Sequence, residues 1–211
     1  MSIIIQHITY IHPDRQLLFE DINFSVEENE KISLIGNNGS GKSTLLKIMA
    51  GKLQPSSGEI ICKEVPYYVP QHFGQYDHLT VEGALGIENK MNALRKILEG
   101  SINQEYYDLL GDDWNIEERA QTALAFWGLD GIDLNKPIRQ LSGGEKTKVL
   151  LAGLQVHEPS TILMDEPTNH LDTRSRDKFY EYIESSHTTM VVVSHDRTLL
   201  NMIPLTCELA S

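Results

Sequence analysis

The chain has 211 residues, of which 40% are hydrophobic and 23% are charged, and its formal net charge is −12. This length suits one large domain, and the composition excludes a disordered chain. No apolar run approaches the roughly 18–20 residues that cross a bilayer, and so acidic a chain is a poor candidate for a simple nucleic-acid binder. Residues 1–5 lack the pattern of a signal peptide. Cys62 and Cys207 fit no metal spacing, and we expect both to be small buried hydrophobes in a reducing cytoplasm.

The predicted strands fall at the two ends of the chain. Residues 3–26 alternate between apolar and polar side chains, which predicts N-terminal antiparallel strands. Three later runs are apolar on both faces, and each precedes a helical pattern: Ile32–Ile35, Thr161–Met164 and Met190–Val193. Such runs are typical of the central strands of a parallel sheet, so we predict an α/β core built of βαβ units.

The middle of the chain has helical spacing and no strand pattern. One apolar stripe comprises Ala84, Leu85, Met91, Leu94 and Leu98. A second comprises Ile116, Ala120, Ala123, Leu124 and Trp127. We interpret both as packing faces and predict a helical lobe over residues 81–137. The lobe would be inserted into a single domain whose α/β core is formed by residues 1–80 and 138–211.

A phosphate-binding loop follows the strand that ends at Ile35. Its residues are Gly36, Asn37, Asn38, Gly39, Ser40, Gly41, Lys42, Ser43 and Thr44, and a helical pattern begins directly after them. Glycines let the backbone curl so that its N–H groups point at phosphate oxygens, and the helix N-terminus adds its dipole. Lys42 can reach the β- and γ-phosphates, and the Ser43 hydroxyl can ligate Mg²⁺.

Two further motifs complete the predicted chemistry. The apolar strand that begins at Thr161 ends in Asp165, placed to hold Mg²⁺, and Glu166, placed to orient or deprotonate a water that attacks the γ-phosphate. Ser142, Gly143 and Gly144 open another helix, which makes a second anion-binding helix N-terminus. One nucleotide needs one cradle, so the second cradle is predicted to serve a nucleotide held by another copy.

Together these motifs resemble the ATP-binding cassette (ABC) family, and the resemblance covers essentially the whole chain. The resemblance implies a P-loop NTPase fold that binds ATP and Mg²⁺ and hydrolyses ATP. It also identifies Gln71 as the glutamine that touches Mg²⁺ or the attacking water, and His195 as the histidine that contacts the γ-phosphate and helps to position Glu166. An aromatic residue stacks on adenine in this family; the candidates here are Tyr10 and His12, with His12 favoured by the alignment of the pattern.

The family's signature motif corresponds here to Leu141-Ser142-Gly143-Gly144-Glu145. The string Asn169-His170-Leu171-Asp172 is similar to that of the ABC-F branch, as is Glu145 at the end of the signature. That branch consists of soluble two-cassette proteins that bind ribosomes, so the chain resembles the N-terminal cassette of such a protein and needs a second cassette as partner. Residues 72–141 leave room for a short arm insertion, but residues 88–119 carry eight acids against four bases, which is not an RNA-contacting surface. The alternative is the ATPase subunit of a membrane transporter.

Overall fold

A computed structural model describes residues 2–209 of the chain. It divides into two compact units. The first unit contains the described residues up to Gln71, the segment Pro159–Asn169, and the described residues from Arg176 onward. The second contains His72–Glu158 and His170–Ser175. The second unit is therefore larger than the predicted lobe of residues 81–137, because it also takes in residues 72–80, 138–158 and 170–175.

An antiparallel sheet forms one part of the first unit. Its strands are ordered β2-β1-β4, where β1 is Ile3–Ile11, β2 is Leu17–Val26 and β4 is Ser57–Cys62. The predicted N-terminal antiparallel strands are thus confirmed, and β4 is an addition that the alternation pattern did not indicate. Gly58 lies at the start of β4 with φ 87°, where an added Cβ would overlap the carbonyl oxygens of Gln6 and His7. The irregular pairing of β1 with β4 therefore depends on glycine at this position.

A parallel sheet forms the other part of the first unit, in the order β5-β6-β7-β3-β8. Its strands are β3 (Lys31–Ile35), β5 (Tyr67–Val69), β6 (Thr161–Asp165), β7 (Thr189–Val193) and β8 (Leu205–Glu208). Every residue of β6 and β7 is buried, as the apolar character of both faces predicted. The α/β class is therefore confirmed.

One hydrophobic cluster joins both sheets to the helix α1 (Lys42–Met49). Leu45 and Leu46 of α1 are fully buried in this cluster together with residues of β1 and β3, including Ile8 and Leu34. This packing fixes the start of α1, and hence the loop before it, relative to the end of β3. The first unit also contains α8 (Arg197–Met202). The helix α7 (Thr173–Ser185) begins in the second unit and ends in the first.

The second unit is helical. Its α-helices are α2 (Val81–Ala84), α3 (Glu88–Leu98), α4 (Gln104–Leu110), α5 (Ile116–Phe126) and α6 (Gly143–His157), with short 3₁₀ turns at Gly74–Tyr76 and Ile138–Gln140. All members of the predicted second stripe are buried. The first stripe is divided between α2 and α3, because Gly86 has φ 71° and breaks the helix. Leu98, the last residue of α3, is 74% exposed, so its assignment to a packing face was wrong.

The two cysteines also depart from expectation. Both are free thiols of intermediate exposure, not buried ones, and partial burial raises the pKa of each thiol. Across residues 2–209, no helix combines the length and the apolar character that a membrane span requires.

Candidate functional site

The phosphate-binding loop runs from the end of β3 to the first turn of α1. Gly41 caps α1 in the left-handed region, with φ 93° and ψ 13°. An added Cβ there would lie 2.7 Å from Cδ1 of Phe19. At Gly36, where φ is 151°, an added Cβ would lie 2.7 Å from the carbonyl oxygen of Leu209. The loop therefore requires glycine at both positions, for conformation and for space.

The Lys42 side chain lies against the loop from which its helix starts. Its Nζ donates hydrogen bonds to the carbonyl oxygens of Gly36 at 2.8 Å and Asn37 at 2.9 Å. Lys42 is only 8% exposed, and the first turn of α1 has no acidic residue. A buried ammonium and the positive end of a helix dipole thus lie at one point, and this arrangement favours the binding of a polyanion.

A cavity of about 580 Å³ in the first unit opens beside this loop. The predicted site residues that line this cavity are His12, Asn38, Gly39, Gly41, Lys42, Ser43, Thr44, Gln71, Asp165, Glu166 and His195. Leu18, Asn169 and Val193 also line it and were not among the predicted site residues. Gly36 and Asn37 contribute through the carbonyl groups that hold Lys42, and the Ser40 hydroxyl is buried within the loop. Residues far apart in sequence therefore converge as the motif analysis predicted.

Glu166 is held in an unusual backbone conformation beyond the end of β6. Its φ is 51°, and its N–H donates to the carbonyl of Val193 at 2.8 Å. Its carboxylate Oε2 accepts the backbone N–H of His195 at 3.2 Å and the hydroxyl of Ser194 at 3.4 Å. The other oxygen, Oε1, lies 3.5 Å from Nε2 of His195. A left-handed backbone is costly for a residue with a Cβ, so this conformation is retained against strain at a cavity wall, a frequent feature of functional residues.

Oxygen ligands suited to Mg²⁺ line the same cavity. They are the hydroxyl of Ser43, the carboxylate of Asp165 and the side-chain carbonyl of Gln71. Hard oxygen donors of this kind, together with phosphate oxygens, are what Mg²⁺ selects, so the residues present fit this ion. Among residues 2–209, no group of three or more His, Cys, Asp or Glu side chains forms a separate metal site.

The two candidates for base stacking occupy different positions. His12 follows the end of β1 and lines the cavity, whereas Tyr10 lies within β1 and contacts Phe19 at a ring-centroid distance of 6.1 Å. The rings of Tyr10 and His12 meet edge to face, with their centroids 5.4 Å apart. The arrangement therefore favours His12 at the ligand, with Tyr10 behind it.

An aspartate next to His195 has partners that sequence reasoning did not identify. Asp196 caps α8 by accepting the N–H groups of Thr198 at 3.0 Å and Leu199 at 3.3 Å through Oδ1. Its Oδ2 accepts the hydroxyl of Tyr180 at 2.5 Å. Burial alone would raise the pKa of Asp196, but the hydrogen bonds from Tyr180 and the backbone outweigh it and lower that pKa. Burial and the neighbouring carboxylate raise the pKa of Tyr180 to about 12.

The predicted second cradle lies in the second unit, at the start of α6. Ser142 and Glu145 form a capping box: Ser142 Oγ accepts the Glu145 N–H at 3.3 Å, and Glu145 Oε2 accepts the Ser142 N–H at 2.7 Å. The hydrogen bond from Ser142 lowers the pKa of Glu145. The glutamate at this position therefore has a structural function, since it fixes the N-terminus of α6.

The segment 170–175 packs on this cradle within the second unit. An added Cβ on Gly144 would lie 2.7 Å from the carbonyl oxygen of His170, whereas on Gly143 it would lie 3.5 Å from the His170 ring. Asp172 accepts the Lys148 ammonium at 2.6 Å and the N–H of Ser175 at 2.9 Å. The hydrogen bond from Lys148 is the main reason that the pKa of Asp172 lies well below its usual value.

Comparisons with known proteins identify related sequences. The family model described as "ABC transporter" matches residues 19–169. The chain is 34% identical over 193 residues to a probable ATP-binding protein YbiT of Escherichia coli, covering 90% of this chain and 32% of the relative. It is 30% identical over 220 residues to the tylosin resistance ATP-binding protein TlrC of Streptomyces fradiae, covering 92% and 39%. The chain thus spans about a third of the length of these relatives.

Solved structures have the same fold. One is the dimeric structure of MJ0796, a bacterial ABC transporter cassette, with a TM-score of 0.73 at 24% identity over 98% of this chain and 94% of that one. Another is a dimeric post-hydrolysis state of the same cassette bound to ADP and Pi, with a TM-score of 0.73 at 23% identity over 98% and 93%.

Proposed function

Because the chain belongs to the ABC transporter family of ATP-binding cassettes, we propose that it binds ATP with Mg²⁺ in the cavity of its first unit and hydrolyses it to ADP and phosphate. The observation that carries this proposal is the convergence of the Lys42 ammonium and the Glu166 carboxylate on one cavity. The cation binds phosphates, and the carboxylate accepts a proton.

Each residue of the cavity has a separate role in the proposed hydrolysis. Lys42 exchanges its loop carbonyl partners for β- and γ-phosphate oxygens, and the loop N–H groups bind the same phosphates. Glu166 takes a proton from the water that attacks the γ-phosphate, while His195 donates to a γ-phosphate oxygen and keeps Glu166 oriented. Ser43, Asp165 and Gln71 would hold Mg²⁺, which supplies charge neutralisation at the phosphates when it is bound. His12 stacks on the adenine ring.

We propose further that the active site is completed by a second cassette. Ser142 and the backbone N–H groups of Gly143 and Gly144 present an ordered helix N-terminus that would bind the γ-phosphate of a nucleotide held by a facing cassette. The MJ0796 cassette, which shares the fold of this chain, is a dimer in both solved structures, and this supports the proposal.

Phosphate release as a function of chain concentration tests both proposals together. The specific activity should rise with the concentration of the chain. It should also rise when a catalytically inactive copy is added that keeps Ser142, Gly143 and Gly144 intact. The Lys42→Ala variant is the copy to add, because it lacks the phosphate-binding cation but keeps Ser142. A high rate that does not depend on concentration, from a chain that light scattering shows to be monomeric, would contradict a composite site.

We propose that the cassette is of the ABC-F type and acts at the ribosome in translation or antibiotic resistance. Asn169-His170-Leu171-Asp172 supports this proposal, as does similarity to a protein named for tylosin resistance. The test is sedimentation of the Glu166→Gln variant with ribosomes, in ATP and in ADP, with Lys42→Ala as the non-binding control. Pelleting that requires ATP and is absent from Lys42→Ala supports the proposal. Equal pelleting in all samples would refute ATP-dependent ribosome binding and leave the ATPase proposal intact.

The second candidate is the ATPase subunit of a membrane transporter. The family model that matches the chain and the transporter cassette that shares its fold both favour this candidate. A permease gene beside the coding region would support this function, whereas a second cassette in the same reading frame would support the ABC-F type.

A further inference from the structure

The loop that presents His195 is anchored from behind by a tyrosine of α7. The Tyr180 hydroxyl donates to Asp196 Oδ2 at 2.5 Å, a short bond to a charged acceptor. The Thr168 side chain also bonds to Asp196, and the same carboxylate caps α8. Together these bonds hold the residue after His195 in place.

The anchored residue is connected to Glu166 through the backbone of the same loop. The Asp196 N–H donates to Ser194 Oγ at 3.1 Å, and that hydroxyl donates to Glu166 Oε2 at 3.4 Å. The N–H of His195, between them, donates to the same carboxylate oxygen at 3.2 Å. Two of the groups that orient Glu166 thus belong to a tripeptide whose last residue is fixed by Tyr180.

We propose that Tyr180 is a positioning residue for ATP hydrolysis, which acts through Asp196 to hold Ser194 and His195 against Glu166. The inference rests on the proposed ATPase function. Tyr180 does not line the cavity around Lys42, so its hydroxyl contributes to the rate of the chemical step and not to nucleotide affinity.

The Tyr180→Phe variant keeps the ring and removes only the hydroxyl. We expect kcat for phosphate release to fall roughly tenfold, which is about 1.4 kcal/mol, while KM for ATP changes less than about twofold. Tyr107→Phe is the matched control, because it removes a tyrosine hydroxyl that donates to the Ser101 carbonyl at 3.3 Å in the second unit. Its kcat should equal that of the wild type.

A double-mutant cycle with Asp196→Asn tests the route of the effect. The amide oxygen can still cap α8 in place of Oδ1, but an NH2 group then stands in place of Oδ2 and cannot accept the Tyr180 hydroxyl. Asp196→Asn alone should therefore lower kcat with KM retained, and Tyr180→Phe should cost less than about threefold in that background. A tenfold cost in both backgrounds would show that Tyr180 does not act through Asp196.

Other outcomes also decide between a positioning and a structural role. A Tyr180→Phe variant with unchanged kcat, or one in which KM rises in parallel with a lower melting temperature, would overturn the inference in favour of a purely structural tyrosine. If Tyr180→Phe does not fold, Asp196→Asn with wild-type kcat would overturn the inference equally. Wild-type phosphate release no higher than that of Lys42→Ala would overturn the proposed ATPase function, and the inference with it.

Discussion

Replacing Glu166 with glutamine should separate ATP binding from hydrolysis. The Ser194 hydroxyl and the His195 N–H both donate to Oε2, at 3.4 and 3.2 Å. A glutamine carbonyl oxygen in that position still accepts both, so the fold loses only the charge assistance, on the order of 1 kcal/mol. The amide cannot take a proton from water, and loss of a positioned general base costs about 10²–10⁴-fold, or about 2.7–5.4 kcal/mol. The loss in rate therefore exceeds the loss in stability.

Phosphate release and calorimetric ATP binding measured on the same preparation test this prediction. Turnover of Glu166→Gln should fall at least about a hundredfold, and the dissociation constant for ATP should stay within about threefold of the wild type. Because hydrolysis is blocked, light scattering with ATP and Mg²⁺ should detect a longer-lived dimer. Unchanged turnover would remove Glu166 from the catalytic step, and lost ATP binding would make it a structural residue.

Three further predictions concern binding, packing and pH. Lys42→Ala should weaken ATP binding at least about tenfold in calorimetry, since the loop loses its buried cation, and a change within about twofold would contradict its assignment. Gly144→Ala should lower the unfolding free energy by about 1–3 kcal/mol, because the new methyl would meet the His170 carbonyl; Gly143→Ala, with ordinary contacts, should be near neutral in the same urea titration. The lowered pKa of Asp172 means that its stabilisation is complete above the unfolded pKa near 3.9 and is lost as the pH falls further. Asp172→Asn should therefore be less stable than the wild type at about pH 7, whereas the difference should shrink towards pH 2, and a difference that stays undiminished there would refute the ion-pair explanation.

The parts of the site that could be predicted from sequence are those in which a short segment dictates its own conformation. The loop at Gly36–Thr44 needs glycines between a strand and a helix, and both flanking elements have their patterns directly beside it in the sequence. Asp165 ends a strand whose burial is evident from its composition, and Glu166 follows it directly. Convergence of the two motifs follows because parallel strands present the same ends at one edge of a sheet.

The remaining features depend on partners that are distant in sequence. Tyr180 lies in an amphipathic helix, and nothing in its neighbours indicates a bond to Asp196. The strand β8 is short and mostly exposed, so it has no apolar run to reveal it. Tyr10 and His12 are two residues apart, so alternation would place both on the same face of a strand and cannot choose between them. The difference arises because β1 ends at Ile11 after an irregular pairing with β2, which leaves His12 outside the strand.

The order of the parallel sheet also affects how the chain can fold during synthesis. The strand β3, which carries the phosphate-binding loop, pairs with β7 on one side and β8 on the other. Lys31 is aligned with Met190, and Ile32 with Leu205, so both neighbours are distant from β3 in sequence. Contacts of such long range form late and slowly. A nascent chain that has not yet reached Thr189 therefore contains the complete phosphate-binding loop on a strand with neither of its neighbours in the parallel sheet, and the loop gains this support only after β7 and β8 have been synthesised.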